Sequence, residues 1–384
     1  MKNGNNNVYI NKSAIYLPNQ PVSNDEMEDY LGIIKEIKTS SKKIVLRNNG
    51  IKNRYYAIDK SGKATHTNAE MTALAVRKLV EDNTNELKNV ELLACGTSSP
   101  DQMMPSHGVM VHGWLPETSA IEVVSPSGNC CSGMHALKYA YLSIKSGEVE
   151  NAISTGSERL SRVLRADTFN EEVEQLIQLK KDPFISFEKE FLRWMLSDGA
   201  GAFFLSNKKN ETGLSIRIDW LESVSYAHEK ETCMYMASEK LEDGTLKGYM
   251  DFDAEEIISR SVLSMKQDTK LLGENIVHLG FDKLKTICEK RNFNVDEVDY
   301  FLPHLSSEFF RSKIAQKLIK NQMEIPAEKW FTNLSAVGNV GAASVYLMID
   351  ELINAGKLKS GNKIMLAVPE SARFSYVFGL LTVC

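Results

Sequence analysis

The sequence predicts an α/β protein made of two similar halves, and two observations carry that prediction. The first is alternation. Short β-rich runs such as "VELLACG", "AISTGS", "GAFFLS" and "KIMLAVP" are separated by helical patterns, as in sheets covered by helices. The second is an internal repeat. "LVEDNTNELKNVELLACGTSS", from Leu79, and "ICEKRNFNVDEVDYFLPHLSS", from Ile287, each read as a helix end, a polar turn, a short apolar strand and a loop closing on Ser-Ser. "GNCCSGMHALKYAYLSIKSGEVENAISTGSE" and "GNVGAASVYLMIDELINAGKLKSGNKIMLAVPES" each start at Gly-Asn, pass through small residues into an amphipathic helix, turn at glycine and enter a buried strand. Leu93 and Leu302 are 209 residues apart and Gly128 and Gly338 are 210 apart, so two independent matches share nearly one spacing. The halves are therefore expected at 1–210 and 211–384.

The elements follow in order. "MKNGNNNVYI" has asparagines where a secretory leader has an apolar core, so it reads as a frayed tail leading into a first strand. After the first repeat unit, a polar insertion at about 162–195 is helical in pattern, with "NEEVEQLIQLKKD" its clearest part. The strand "GAFFLS" closes the first half. A second polar insertion, at about 225–273, is also expected to be helical, and both would cap the core or form a plain solvated surface. The second half then repeats the strand, helix and strand of the first.

Composition narrows the function. The 384 residues are 43% hydrophobic and 25% charged, as in ordinary soluble domains. A net charge of −5 argues against general nucleic-acid binding. No apolar run is long enough to span a bilayer, and a cytoplasmic location is expected. The six cysteines include no CxxC pair, which argues against zinc. Cys130 and Cys131 are adjacent, a spacing that rarely forms a disulfide, so they are either small buried residues or a reactive thiol.

A cysteine at a helix N-terminus sits against unpaired N–H groups, which lower its pKa and make it a usable nucleophile. Cys131 stands there, followed by the small residues Ser132 and Gly133. His304 lies where the strand of "YFLPHLSS" meets a loop, and Asn339 occupies the second half's equivalent of the Cys131 helix start. Pseudo-twofold symmetry would bring Cys131, His304 and Asn339 together. A sulfur nucleophile with two nitrogen donors suits acyl-thioester chemistry: the cysteine holds an acyl group while His and Asn stabilise an enolate oxygen.

These motifs resemble the thiolase-superfamily condensing enzymes of the β-ketoacyl-acyl-carrier-protein synthase III type. The resemblance runs through "YLPNQPVSNDEME", "IVLRNNGIKNRYYA", "CSGM", "IKSGEVENAISTGSERLSR", "LSDGAGAFFLS", "LPHLSS" and "GNVGAAS". It implies a thiolase-like fold in five αβαβα layers, a homodimer formed through the N-terminal half, and catalytic Cys131, His304 and Asn339. It also implies acyl carrier protein or coenzyme A thioesters as partners, with no metal or redox cofactor. The family places a small residue and then glycine directly after its nucleophile, which selects Cys131. An ungapped count back from "IKSG" selects Cys130 instead.

The departures are informative. Leu305-Ser306-Ser307 replaces the family's Gln-Ala-Asn, and "PESARFSYVFG" replaces its glycine-rich segment, so the oxyanion amide falls on Ser371, Ala372 or Arg373, with Ala372 the best match. Lys42, Lys43 and Arg47 make a basic patch at the family's coenzyme A entrance, suited to an acidic carrier protein, or an ordinary solvated charge run. Met103 and Met104 fall near the family's acyl pocket, or are core filler. Together the departures resemble the ketosynthases of dialkylresorcinol biosynthesis. In that branch a β-ketoacyl thioester attacks the bound acyl group, and ring closure gives a cyclohexanedione that a partner enzyme aromatises. An acyltransferase of the same fold and an inactive partner subunit are the competing readings.

Overall fold

The structure is a computed structural model that describes residues 6–34, 40–81, 83–169 and 192–384. Its centre is a nine-stranded mixed sheet. The strands are β1 (Tyr9–Tyr16), β2 (Leu92–Thr97), β3 (Glu122–Val124), β4 (Asn151–Glu158), β5 (Gly199–Ser206), β6 (Ile216–Ser225), β7 (Tyr300–Pro303), β8 (Lys363–Glu370) and β9 (Ser375–Val383). Their order is β7-β8-β9-β6-β1-β5-β4-β2-β3. Strand directions repeat between the halves. β2–β4 and β7–β8 are parallel, whereas β4–β5, β5–β1, β8–β9 and β9–β6 are antiparallel. The two sets join where Tyr9 pairs with Arg217 and Ile10 with Ile216.

The helices that matter here are α1 (Ser40–Asn49), α2 (Asn68–Lys78), α3 (His107–Gly113), α4 (Ser132–Ser146), α5 (Thr269–Arg291), α6 (Phe309–Lys320) and α7 (Ser344–Asn354). Alternation along the strands sorts them into layers, because successive strand residues face opposite sides. On β8, Ile364, Leu366 and Val368 share a core with α4 and α7, while Met365 and Ala367 face α5 and α6. On β2, Leu92 and Ala94 face the α4 and α7 side, while Leu93 and Cys95 pack with α2 and α3. The result is five layers, with α4 and α7 side by side in the middle.

Two close approaches make that middle layer possible. Tyr346 Oη donates to Gly133 O at 2.8 Å. A Cβ on Gly133 or Gly156 would stand 2.2 Å from Ala342 O. Glycine is required there because the obstacle is backbone, which no rotamer change can relieve.

The insertions differ from expectation. "NEEVEQLIQLKKD" lies outside the described residues, as does most of 162–195. The stretch 225–273 is not chiefly helical. It forms one ribbon from Ser238–Lys240 and Leu246–Gly248, another from Met234–Tyr235 and Lys266–Gln267, and a short helix, Ala254–Ser259. The first ribbon turns on Asp243-Gly244, where Asp243 accepts from Thr245 N at 3.0 Å and Gly244 takes φ +82. Asp-Gly is a strong hairpin signal, and here it overrides the helical look of the flanking charges.

Candidate active site

The site lies where the strand ends β7, β8 and β9 meet the start of α4. β7 is an edge strand and ends in Pro303, which costs no ladder hydrogen bond there. The next residue, His304, continues the pairing, with its N–H donating to Ala367 O at 2.9 Å. Its backbone is therefore fixed beside an apolar cavity that His304, Cys130, Pro369, Ser371 and Tyr376 line. His304 is 3% exposed, and its Nε2 has no hydrogen-bond partner among the described residues. Burial lowers its pKa to about 4, so the ring is neutral at physiological pH.

The two cysteines face different ways. Cys130 is half-buried and lines the cavity. Cys131 is 0% exposed, and its Sγ donates to Val368 O at 3.3 Å inside the central core. The expectation placed Cys131 in the site; the cavity lining holds Cys130 and not Cys131. Cys131 is the N-cap of α4.

A second expectation, a thiol with a lowered pKa, meets an opposing carboxylate here. Glu370, at the end of β8, accepts from Asn129 N at 2.9 Å and from Cys131 N at 3.0 Å. The positive end of the helix is thus already matched by a carboxylate. Burial, then repulsion from Glu370, pushes the Cys130 and Cys131 thiols above their ordinary value. No feature of the sequence near residue 130 signalled Glu370.

Asn339 does not line the cavity. Its backbone is clamped by Asn339 N to Met195 O and Ser197 N to Asn339 O, both 2.9 Å. Its Oδ1 accepts from Gly341 N at 3.0 Å. Glu158, fully buried, holds the same loop. It accepts from Ala342 N at 3.1 Å and from the hydroxyls of Ser98 and Ser99 at 2.6 Å each. Burial raises its pKa to about 7.

The remaining expected positions are dispersed. Ala372 lies in the turn between β8 and β9 outside the cavity wall, with its carbonyl accepting from Cys233 N at 2.8 Å. The same turn holds Phe374 at φ +57, a left-handed conformation that usually favours glycine. Met103 and Met104 are 69% and 86% exposed, so neither forms the cavity wall. The expected patch shrinks because Lys42 pairs with Glu28 at 2.7 Å and sits over the Trp194 ring, leaving Lys43 and Arg47 exposed on α1. Among the described residues, no cluster of three His, Cys, Asp or Glu side chains could hold a metal, and no helix is long and apolar enough to cross a membrane.

Residues 288–368 match the family model described as 3-oxoacyl-[acyl-carrier-protein (ACP)] synthase III C terminal. By sequence, the chain is 25% identical over 358 residues to the beta-ketoacyl-[acyl-carrier-protein] synthase III of Clostridium perfringens, covering 92% of both chains. The corresponding Aquifex aeolicus protein is 24% identical over 354 residues, covering 92% of this chain and 93% of that one. Among solved structures, AbyA1, a tetronic acid condensing enzyme, superposes with a TM-score of 0.76 at 18% identity, covering 98% of this chain and 99% of that one. An OleA variant of Xanthomonas campestris with bound lauric acid and lauroyl-CoA gives 0.74 at 18% identity, with the same coverages. The fold is the thiolase-like fold of these condensing enzymes.

Proposed function

We propose that this chain is a ketosynthase that joins an acyl group held on Cys130 to a second thioester through a new carbon–carbon bond. The observation that carries the reading is an apolar cavity opening on one thiol and one buried, neutral imidazole whose Nε2 is unpartnered. Cys130 Sγ attacks the carbonyl carbon of an acyl thioester, and the carrier thiol leaves with the proton. A second thioester then binds, and His304 stabilises its enolate oxygen, with the Nδ2 of Asn339, which lies outside the cavity lining, as the second donor that the family resemblance implies. The enolate carbon attacks the acyl-cysteine carbonyl, and the C–S bond breaks to restore the thiol. A β-ketoacyl thioester suits the second role, because its acidic methylene gives up a proton without decarboxylation: His304 Nε2 takes that proton, the resulting N–H donates to the enolate oxygen, and the proton passes to the departing Cys130 thiolate.

Under this reading the donors are acyl carrier protein or coenzyme A thioesters, and no metal or redox cofactor takes part. The finer assignment is condensation toward a dialkyl cyclohexanedione, the precursor of a dialkylresorcinol, by a cytoplasmic homodimer with an aromatase downstream. The names of the similar proteins support condensation, and the departures after His304 and around Ala372 support the specialised branch.

Intact-protein mass spectrometry after incubation with acyl thioesters tests the reading. A gain of one acyl group on the peptide carrying Asn129–Met134 is expected, lost in Cys130→Ala and retained in Cys131→Ala. Adding a β-ketoacyl thioester should then release a cyclic diketone. No acyl adduct would overturn the reading in favour of an inactive partner subunit, and an ester product would favour an acyltransferase.

A further inference from the structure

Two carboxylates outside the cavity lining stand at matching places in the two halves. Glu158 is the last residue of β4 and Glu370 the last of β8, and these strands follow α4 and α7, the helices that open on the two Gly-Asn starts. Each side chain reaches across to the other half. Glu370 accepts from Asn129 N and Cys131 N at the first start, and Glu158 accepts from Ala342 N at the second.

Glu158 is tied down on both of its oxygens. Its Oε1 accepts from Ala342 N at 3.1 Å and from Ser98 N at 3.3 Å, and its Oε2 from the hydroxyls of Ser98 and Ser99 at 2.6 Å each. The turn passes directly over this carboxylate. Gly341 takes φ +48, and a Cβ there would stand 2.8 Å from Oε1. On the other side, the Ala342 carbonyl rests against Gly133 and Gly156, where an added Cβ would stand 2.2 Å from it. The turn is therefore clamped through the N–H and the C=O of one residue.

That clamp reaches Asn339 through a single peptide. The backbone of Asn339 is fixed separately, by Met195 O and Ser197 N. Its side chain is held by Gly341 N, which donates to Oδ1 at 3.0 Å. Gly341 N and Ala342 N are successive amides of one turn, so what holds the second also aims the first. Loosening the turn would leave the Asn339 backbone in place and release its side-chain amide.

We propose that Glu158 is a positioning residue for the condensation step, holding the side-chain amide of Asn339 in place through the Ala342 and Gly341 amides. The proposal rests on the condensing-enzyme reading above and on the part Asn339 plays in it. The property used is reach, because Ala342 N needs an acceptor at hydrogen-bond distance and a neutral oxygen serves as well as a charged one. Acylation of Cys130 involves neither this turn nor Asn339. The two half-reactions thus separate a positioning role from general damage to the fold.

The test measures them apart: acyl transfer from octanoyl coenzyme A to the protein by intact mass, then discharge of the acyl-protein by 3-oxooctanoyl coenzyme A. Glu158→Asp withdraws the carboxylate by one C–C bond, about 1.5 Å, and should slow discharge about a hundredfold while acylation stays within about threefold. Glu158→Gln keeps an oxygen at the same reach and should recover most of that loss. Ser98→Ala removes one anchor of Oε2; it should slow the same step by a smaller factor, and it serves if Glu158→Asp fails to fold. In folded variants, equal losses in the two steps, no loss in either, or a Glu158→Gln no better than Glu158→Asp would overturn the inference and leave the condensing reading intact. If the native chain does not turn over, the condensing reading fails, and amide hydrogen exchange over residues 334–346 decides the brace separately. Protection lost in Glu158→Asp and kept in Glu158→Gln supports it, and unchanged protection overturns it.

Discussion

Replacing Glu370 by glutamine removes one negative charge from the start of α4 while keeping the side chain's shape and an oxygen able to accept an N–H. In the native chain that carboxylate lies 3.0 Å from the amide of Cys131, one residue from the Cys130 thiol. At about 6 Å and an effective dielectric constant of about 20, a carboxylate and a thiolate repel by roughly 3 kcal/mol, or about two pK units. The amide dipoles that Glu370 binds offset part of this, so Glu370→Gln should lower the Cys130 pKa by roughly one to two units. A thiolate loses intrinsic nucleophilicity as its pKa falls, with a slope of about 0.4–0.5, which leaves a net rate gain of about three- to tenfold at neutral pH. The assay is alkylation by iodoacetamide, followed by peptide mass, with a thermal melt to show that the variant is folded. A folded variant alkylated no faster than the native chain would refute the argument that Glu370 restrains this sulfur.

Two further outcomes follow from the same geometry. Glu158 has a folded-state pKa raised from 4.5 to about 7, so its contribution favours the fold at low pH and is lost as pH rises through about 7. The loss amounts to about 3 kcal/mol at most, and the gap in urea stability between the native chain and Glu158→Gln should change by that order between pH 4.5 and pH 8. Gly133→Ala should destabilise the chain by about 2–4 kcal/mol, because its Cβ meets Ala342 O at 2.2 Å; a urea midpoint equal to that of the native chain would contradict this.

The parts of the fold legible in the sequence were those governed by local period. The short β-rich runs that form β2, β4, β5 and β8, and the Gly-Asn starts repeated at one spacing, depend on neighbouring residues alone. The position of His304 was also readable, because the repeat sets its strand end beside the equivalent strand end of the first half. The choice between Cys130 and Cys131 was not. Each residue turns about 100° around a helix, so a one-residue shift in the first turn exchanges core for cavity. The count back from "IKSG" was the signal that pointed to Cys130. Glu370 was invisible because it reaches Asn129 and Cys131 across 241 and 239 positions of sequence. Phe374 hid a glycine-like turn behind a bulky side chain, and Asp243-Gly244 was outweighed by the charges around it.

The middle layer has a consequence for how the chain is made. α7 packs on strands translated long before it: Ser13 bonds Asp350 at 2.7 Å, and Phe203 stacks on Tyr346 at 4.3 Å. Tyr346 is synthesised 140 residues after the end of β5 at Ser206, a wait of roughly 7–30 s at about 5–20 residues per second. Through that interval the inner faces of β1 and β5 lack their cover. A chain cut short before residue 344 is therefore expected to expose these apolar faces and to aggregate in place of forming a smaller working domain.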